Sequence, residues 1–251
     1  MQIRSAALTD VGRVREANED SHLVVDDLGL FVVADGMGGH LGGQTASSLA
    51  VKTVGESVAK HKDEIVAGAG VEPLASSVVP RLLADAVRAA CATIFETAQH
   101  DPDLQGMGTT VTSLLVHADR AFVAHVGDSR CYLQRGDRII QITDDHSLVN
   151  EQVKAGLITR EQSRASRFKN IITRSVGYER DVAVDTFALP LQAGDKMLMC
   201  SDGLANFVDD TEMGWALSSL PLADVPKRMI ELANERGGDD NITVVCVGAE
   251  E

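Results

Sequence analysis

Three apolar runs in this chain end in an aspartate, and a fourth starts just after one. Phe31-Val32-Val33-Ala34 leads into Asp35-Gly36, Phe122-Val123-Ala124-His125-Val126-Gly127 into Asp128, and Met197-Leu198-Met199-Cys200-Ser201 into Asp202-Gly203. Asp240 stands just before the run 242–247. Strand ends are rigid, and sites are usually built on the loops that leave them, so carboxylates far apart in sequence can converge there. Converging carboxylates repel, and protons, a basic side chain or a cation must neutralise them. Oxygen-only ligands select hard ions, Mg²⁺ or Mn²⁺, over Zn²⁺. Gly36 has no Cβ, so its backbone carbonyl can come close to an ion. Aspartate is also a common turn residue, and with 37 acidic residues some coincidence is expected. Spacing alone leaves both readings open.

Two further stretches bear on phosphate. Asp10-Val-Gly12-Arg-Val-Arg15-Glu-Ala-Asn18-Glu19-Asp20 is dense in charge, and Arg15 is a bidentate donor suited to a phosphate. A surface salt bridge is the commoner fate of an arginine among acids. Gly36-Met37-Gly38-Gly39-His40-Leu41-Gly42-Gly43 could cradle a phosphate on backbone amides. It is neither a Walker A loop nor a dinucleotide fingerprint, since no Gly-Lys-Ser/Thr and no GxGxxG between strand and helix occur.

Short β-branched strands must position these residues. The pattern predicts strands at 30–34, 109–117, 120–126, 130–134, 138–143, 182–188, 196–200 and 242–247. Ala118-Asp119 and Arg135-Gly136-Asp137 are too short for crossovers, so the strands they join are antiparallel. Helices are predicted over 45–60 and 80–99, with Leu82, Leu83, Ala86, Ala90 and Ile94 on one stripe of the second. Shorter ones are predicted at 147–155, at the Thr159-x-x-Gln162 capping box, from Asp209-x-x-Glu212 around Trp215, and from Pro226 to Gly237-Gly238. Antiparallel sheets with helices packed outside follow. The polar segment 147–181, inserted between strands, reads as a flap. It carries Lys154, Arg160, Arg164, Arg167, Lys169, Arg174 and Arg180. These are either solvated charges paired with the acidic body or a surface that selects phosphoprotein.

Composition narrows the partners. The 251 residues, 44% hydrophobic and 24% charged, are those of a globular chain, read as a single domain 1–251. A net charge of −14 would repel nucleic acid and anionic lipid. No run approaches the length of a membrane span, and the N-terminus lacks a signal-peptide core, so no membrane partner and a cytoplasmic location are expected. Cys91, Cys131, Cys200 and Cys246 are scattered without a CxxC, as buried reduced thiols would be.

Taken in order, Asp10-x-Gly12-x-x-Arg15-x-x-Asn18-Glu19-Asp20, Asp35-Gly36-Met37-Gly38-Gly39, Gly108-Thr109-Thr110, Val126-Gly127-Asp128-Ser129-Arg130, Ser201-Asp202-Gly203-Leu204 and Asp239-Asp240-Asn241-Ile242-Thr243 resemble the metal-dependent protein phosphatases (PPM, type 2C). The short chain and Met37 resemble the bacterial serine/threonine branch. Any one motif is weak; six in register, spanning essentially the whole chain, are specific. The resemblance implies an α+β fold, a four-layer α-β-β-α sandwich of two antiparallel sheets flanked by helices, with a two-metal site at one end. By motif position, Asp35 bridges two Mn²⁺ or Mg²⁺ ions, Gly36 gives its carbonyl, and Asp202 and Asp240 complete the protein ligands. Asp128 shares a third, weaker site with Asp202. Arg15 resembles the substrate-phosphate arginine. Glu19, Asp20 and Asn241 stand behind the ligands, the first two holding metal-bound waters.

Departures from the family pattern matter. Animal members carry a histidine, a proposed general acid, where this chain has Met37, and His40 is the nearest replacement. Gln44 stands where bacterial members often have Glu. Ser166-Arg167-Phe168-Lys169-Asn170 lacks the usual His-Pro, and Asn206 stands where some members have Asp, which weakens a third metal site. The implied reaction is in-line attack of a metal-bridging hydroxide on phosphoserine or phosphothreonine, in proteins phosphorylated by a serine/threonine kinase. His40 or a metal-bound water then protonates the leaving alkoxide. One rival is a catalytically weak or inactive phosphoprotein-binding member of the same fold, against which all three metal aspartates stand. The other is a metallohydrolase of small phosphoesters, distinguished by turnover of phosphopeptide against sugar phosphate.

Overall fold

In the computed structural model of the chain, which describes residues 1–38, 41–70, 77–164 and 166–250, the 30–34 run alternates between two buried faces. Leu30, Val32 and Ala34 pack in one apolar cluster, Phe31 and Val33 in another. The same alternation separates Leu198 and Cys200 from Met197 and Met199, and Val244 and Cys246 from Val245 and Val247. A strand covered on both faces has no polar side to show, which is why these segments read as continuous apolar runs.

The strands are β1 (Gln2–Asp10), β2 (Asp20–Val25), β3 (Leu30–Met37), β4 (Gly108–Thr109), β5 (Val111–His117), β6 (Arg120–Val126), β7 (Arg130–Arg135), β8 (Arg138–Gln141), β9 (Asp185–Pro190), β10 (Lys196–Cys200) and β11 (Ile242–Glu250). One sheet has the order β1-β11-β10-β7-β8, the other β2-β3-β5-β6-β9 with β4 beside β3. Neighbouring strands run antiparallel, and the sheets face each other across the cluster of Phe31, Leu114, Val123, Cys131, Met197 and Val245.

Helices close both outer faces. α1 (Gly42–Lys60), α2 (Lys62–Ala69) and α3 (Val79–His100) cover the β2-to-β9 sheet. α6 (Asp202–Ala205), α7 (Asp210–Ser219) and α8 (Val225–Glu235) cover the other. The result is the expected four-layer sandwich. Segment 147–181, the flap, carries α4 (Leu148–Lys154) and α5 (Arg160–Arg164). The anticipated capping box of Thr159 with Gln162 forms, and Asp209 and Glu212 make a second one at the start of α7.

Four elements differ from the sequence reading. β1 and β2 are additional strands at sheet edges, and α2 is an additional helix. The strand predicted at 182–188 begins at Asp185, because Val182 leaves the ladder to pack in the α1–α3 cluster. All four cysteines are buried free thiols. Among the described residues no helix is long and apolar enough to cross a membrane.

Candidate active site

Asp35, Asp128, Asp202 and Asp240 meet at one end of the sandwich, joined by Asp20. Asp20 faces Asp35 directly across the β2–β3 pair. The Asp35 backbone is pinned by two threonines of β4 and β5's approach. Its N–H donates to Thr110 Oγ1 at 2.9 Å, and its carbonyl accepts from the Thr109 hydroxyl and the Thr110 N–H, both at 2.9 Å. Asp202 opens α6, where its Oδ2 accepts from Asn206 Nδ2 at 3.1 Å. Asp240 Oδ1 accepts from the N–H of Asn241 at 2.9 Å.

The electrostatics are those of a crowded acid cluster. Burial raises Asp35 well above the ordinary carboxylate range, and the charges of Asp20, Asp202, Asp128 and Asp240 add to it. Asp128 is likewise raised, by burial and then by Asp202 and Asp145, with Arg130 opposing. Asp202 is raised by burial and by Asp240. Asp20 is pushed up to about 7 by burial, against hydrogen bonds from Thr243 and Ser201. Asp20 Oδ1 and Asp128 Oδ1 are buried with no hydrogen-bond partner. Leaving such atoms unpaired costs roughly 1–3 kcal/mol each, more for charged groups. Such a cluster needs protons, a basic side chain or a cation to offset it, and its oxygen donors would suit a hard cation. The aspartates do not form a closed cage: among the described residues no three His, Cys, Asp or Glu side chains make a group that could hold an ion unaided.

Close backbone approach explains two glycines. A Cβ on Gly36 would lie 2.1 Å from the Gly43 carbonyl and 2.6 Å from that of Glu19, and one on Gly43 would lie 1.9 Å from Glu19 Oε2. The strand carrying Asp35-Gly36 and the start of α1 therefore meet backbone to backbone, and Glu19, at the end of the 11–19 loop, lies against Gly36 with its carbonyl and against Gly43 with its carboxylate.

Arg15 projects from that loop onto Asp240, with Nη2 2.8 Å from Oδ2. Asn241 shapes the loop: its Nδ2 donates to the carbonyls of Val11 and Ala17, each at 2.9 Å, and its Oδ1 accepts from the Glu19 N–H at 2.8 Å. Asn18 Nδ2 reaches Thr9 at 2.8 Å, and Arg13 N–H reaches the Gly238 carbonyl at 2.7 Å. Asn241, next to Asp240, thus holds the loop that carries Arg15 and Glu19. His40 lies outside the described residues.

Sequence reasoning missed the hydroxyls. Ser201 and Thr243 both donate to Asp20 Oδ2, at 2.8 and 2.7 Å, and Ser129 bonds Thr110 at 2.7 Å. Each lies inside a quoted motif, the one signal that could have found it. Arg130 is likewise committed, bidentate to Asp145 at 2.7–3.1 Å.

Beside Asp128 and Asp202 opens a cleft of about 310 Å³, bounded by Asn206 and Phe207 and by Val149, Arg160 and Lys169 of the flap. The flap's charges divide. Lys154, Arg174 and Arg180 pair with Asp144, Asp185 and Glu96 at 3.1, 2.7 and 3.0 Å, and Arg167 lies over the Phe168 ring. Arg160 and Lys169 line the cleft.

Known proteins match this architecture along its length. The family model Protein phosphatase 2C matches residues 13–243. A serine/threonine phosphatase stp of Listeria monocytogenes is 38% identical over 243 residues, covering 95% of this chain and 93% of the relative. The crystal structure of the Mycobacterium tuberculosis serine/threonine phosphatase PstP/Ppp superposes with a TM-score of 0.88 at 37% identity, covering 100% of both chains. A PstP catalytic domain in complex with two manganese ions gives a TM-score of 0.84 at 37% identity, covering 99% of each. With its two facing sheets, its strand-end aspartates and these matches, the chain belongs to the protein phosphatase 2C family.

Proposed function

We propose that this chain is a metal-dependent serine/threonine phosphoprotein phosphatase of the bacterial type, its 251 residues forming one phosphatase domain with 147–181 as flap. Asp35, the carbonyl of Gly36, Asp202 and Asp240 hold two divalent cations, Mn²⁺ or Mg²⁺, and Asp128 shares a third, weaker one with Asp202. The observation that carries this reading is the set of buried aspartates that raise one another and include unpartnered oxygens. Because their side chains alone do not close around an ion, the Gly36 carbonyl and water are needed to complete the set. When bound, such cations supply Lewis acidity, which acidifies a water for attack on phosphorus and neutralises the phosphoryl oxygens.

The chain's own residues do the rest. Arg15 binds the phosphate through its planar fork, and it must leave Asp240 to do so, which couples phosphate binding to occupation of Asp240 by a cation. Asn241 holds the loop that presents Arg15 and Glu19. Ser201 and Thr243 fix Asp20 so that its other oxygen stays turned to the site. The substrates are proteins phosphorylated by a serine/threonine kinase.

The test is hydrolysis of a phosphothreonine peptide with Mn²⁺, with and without chelator, alongside Asp35→Asn, Asp202→Asn and Asp240→Asn. Each variant should keep its fold, lose nearly all turnover and bind Mn²⁺ more weakly by calorimetry. Turnover that survives chelator, or Asp202→Asn at wild-type rate, would overturn the reading.

A further inference from the structure

His146 stands where the flap leaves the body, and it is bonded on three sides. The Gly127 N–H donates to His146 Nδ1 at 3.0 Å, and the His146 N–H donates to the Gly127 carbonyl at 2.7 Å. On its far side Nε2 lies 3.1 Å from Asp185 Oδ2, while Asp185 Oδ1 accepts from Arg174 at 2.7 Å. The His146 carbonyl accepts from the Thr173 N–H at 2.8 Å, and Ser147 bridges to Ile172, so the two ends of the flap meet at this residue. An Nδ1 that accepts leaves the proton on Nε2, which donates to Asp185.

What the ring holds is the turn before Asp128. Gly127 has φ +112°, and a Cβ there would meet Thr110 Cγ2 at 2.5 Å, so the turn admits no side chain of its own as an anchor. Asp128 Oδ1 has no partner, so its aim depends on the backbone that precedes it. The only ring touching that backbone in the described hydrogen bonds belongs to His146.

We propose that His146 is a positioning residue: it clamps the Gly127-Asp128 turn to the root of the flap, so that one side chain sets both the aim of Asp128 and the seating of the flap through Asp185 and Arg174. The catalytic consequence rests on the phosphatase reading, whereas the clamp does not.

Two substitutions separate the arms. His146→Asn keeps an acceptor at the Nδ1 position and is too short for Asp185. His146→Gln keeps a donor near Nε2 and loses the acceptor for Gly127. In metal-free protein, amide exchange at Gly127 should be slow in wild type and in the Asn variant, and roughly tenfold or more faster in the Gln variant. The Gln variant should lose roughly tenfold or more in kcat on phosphopeptide and para-nitrophenyl phosphate alike and bind its weakest Mn²⁺ less tightly by calorimetry, with KM little moved, while Asn restores most of the loss. Asp185→Asn should instead raise KM for phosphopeptide and spare the small ester. In the wild-type protein, ring ¹⁵N shifts should report the Nε2–H tautomer, a reading that needs no variant. An Nδ1–H tautomer, equal Gly127 exchange in all three proteins, or equal loss in Asn and Gln would overturn the clamp. Inactive wild type would overturn the phosphatase reading, and the exchange and tautomer results would still decide the clamp.

Discussion

Acidification from about pH 7 to about pH 5 should destabilise this protein through His125. The ring is fully buried on β6, with Nε2 3.2 Å from the Asp144 carbonyl and Nδ1 3.0 Å from the Thr112 hydroxyl. Burial pushes its pKa from the ordinary 6.5 down to about 4, and the charge of His146, its ring 4.8 Å away, pushes the same way. The folded state holds the ring neutral, while the unfolded chain takes up a proton below 6.5. Across that window the unfolded state binds more protons, so stability falls as the pH falls from 6.5 toward about 4. The whole shift is worth about 3 kcal/mol at roughly 1.4 kcal/mol per unit, and about 2 kcal/mol of it is lost between about pH 7 and pH 5. With a urea dependence of roughly 2–3 kcal/mol/M, the unfolding midpoint should drop by about 0.7–1 M from this residue alone. His125→Gln removes the titration and keeps a donor for the Asp144 carbonyl. Urea titrations of both proteins across the window isolate the effect, because the carboxylates titrate in both and cancel in the difference. The variant's stability should depend on pH less steeply by that amount, whatever its absolute value. Parallel curves would refute a ring held neutral by burial.

Three further outcomes are expected. Arg15→Ala should raise KM for phosphopeptide more than it lowers kcat and, by freeing Asp240 from its ion pair, bind Mn²⁺ more tightly in calorimetry; Arg15→Lys should rescue KM poorly, and a full rescue would mean simple charge attraction. Asn241→Ala strips partners from two carbonyls and one N–H and should cost about 2–3 kcal/mol in urea unfolding, with the Glu19 amide losing protection from exchange; unchanged protection would show that the 11–19 loop is held by other contacts. Neutralising Arg160 and Lys169, the flap cations that line the cleft, should lower kcat/KM for phosphopeptides while sparing para-nitrophenyl phosphate, and the effect should fade with salt; equal loss on both substrates would point to a disturbed metal site.

What could be read from the sequence follows burial on two faces. The runs at 30–34, 120–126, 196–200 and 242–247 are recognisable because both sides of each strand meet apolar layers. β1 and β2 are edge strands whose residues are mostly half-buried, so Gln2, Arg4, Ser21 and His22 dilute any apolar signal. α2 buries only Ile65, Gly68 and Ala69 and has no side-chain cap, leaving neither a stripe nor a start signal. The flap's seven cations looked like one group in sequence, yet Lys154, Arg174 and Arg180 are spent on partners 10, 11 and 84 positions away. Charge counted along a chain does not reveal which charges are already paired.

The site divides along a similar line. Carboxylates at strand ends announce themselves, because an acid after an apolar run is conspicuous and its chemistry is carried by residue type. The groups that aim those acids do not. Ser201 and Thr243 touch Asp20 from positions 181 and 223 residues away; a threonine in a strand looks like any other β-former, and a serine between a strand and a helix looks like any other cap. His146, between Asp145 and Ser147, reads as the residue before a helix cap, and Ser147 does cap α4. Its bonds to Gly127 and Asp185 exist only once β6, β9 and the flap's root are assembled. Residue type therefore locates the chemistry in this chain, while the precision of its geometry is held by small polar groups whose partners are set by strand register. Substitutions at those partners should alter rate and cation affinity while leaving every aspartate in place.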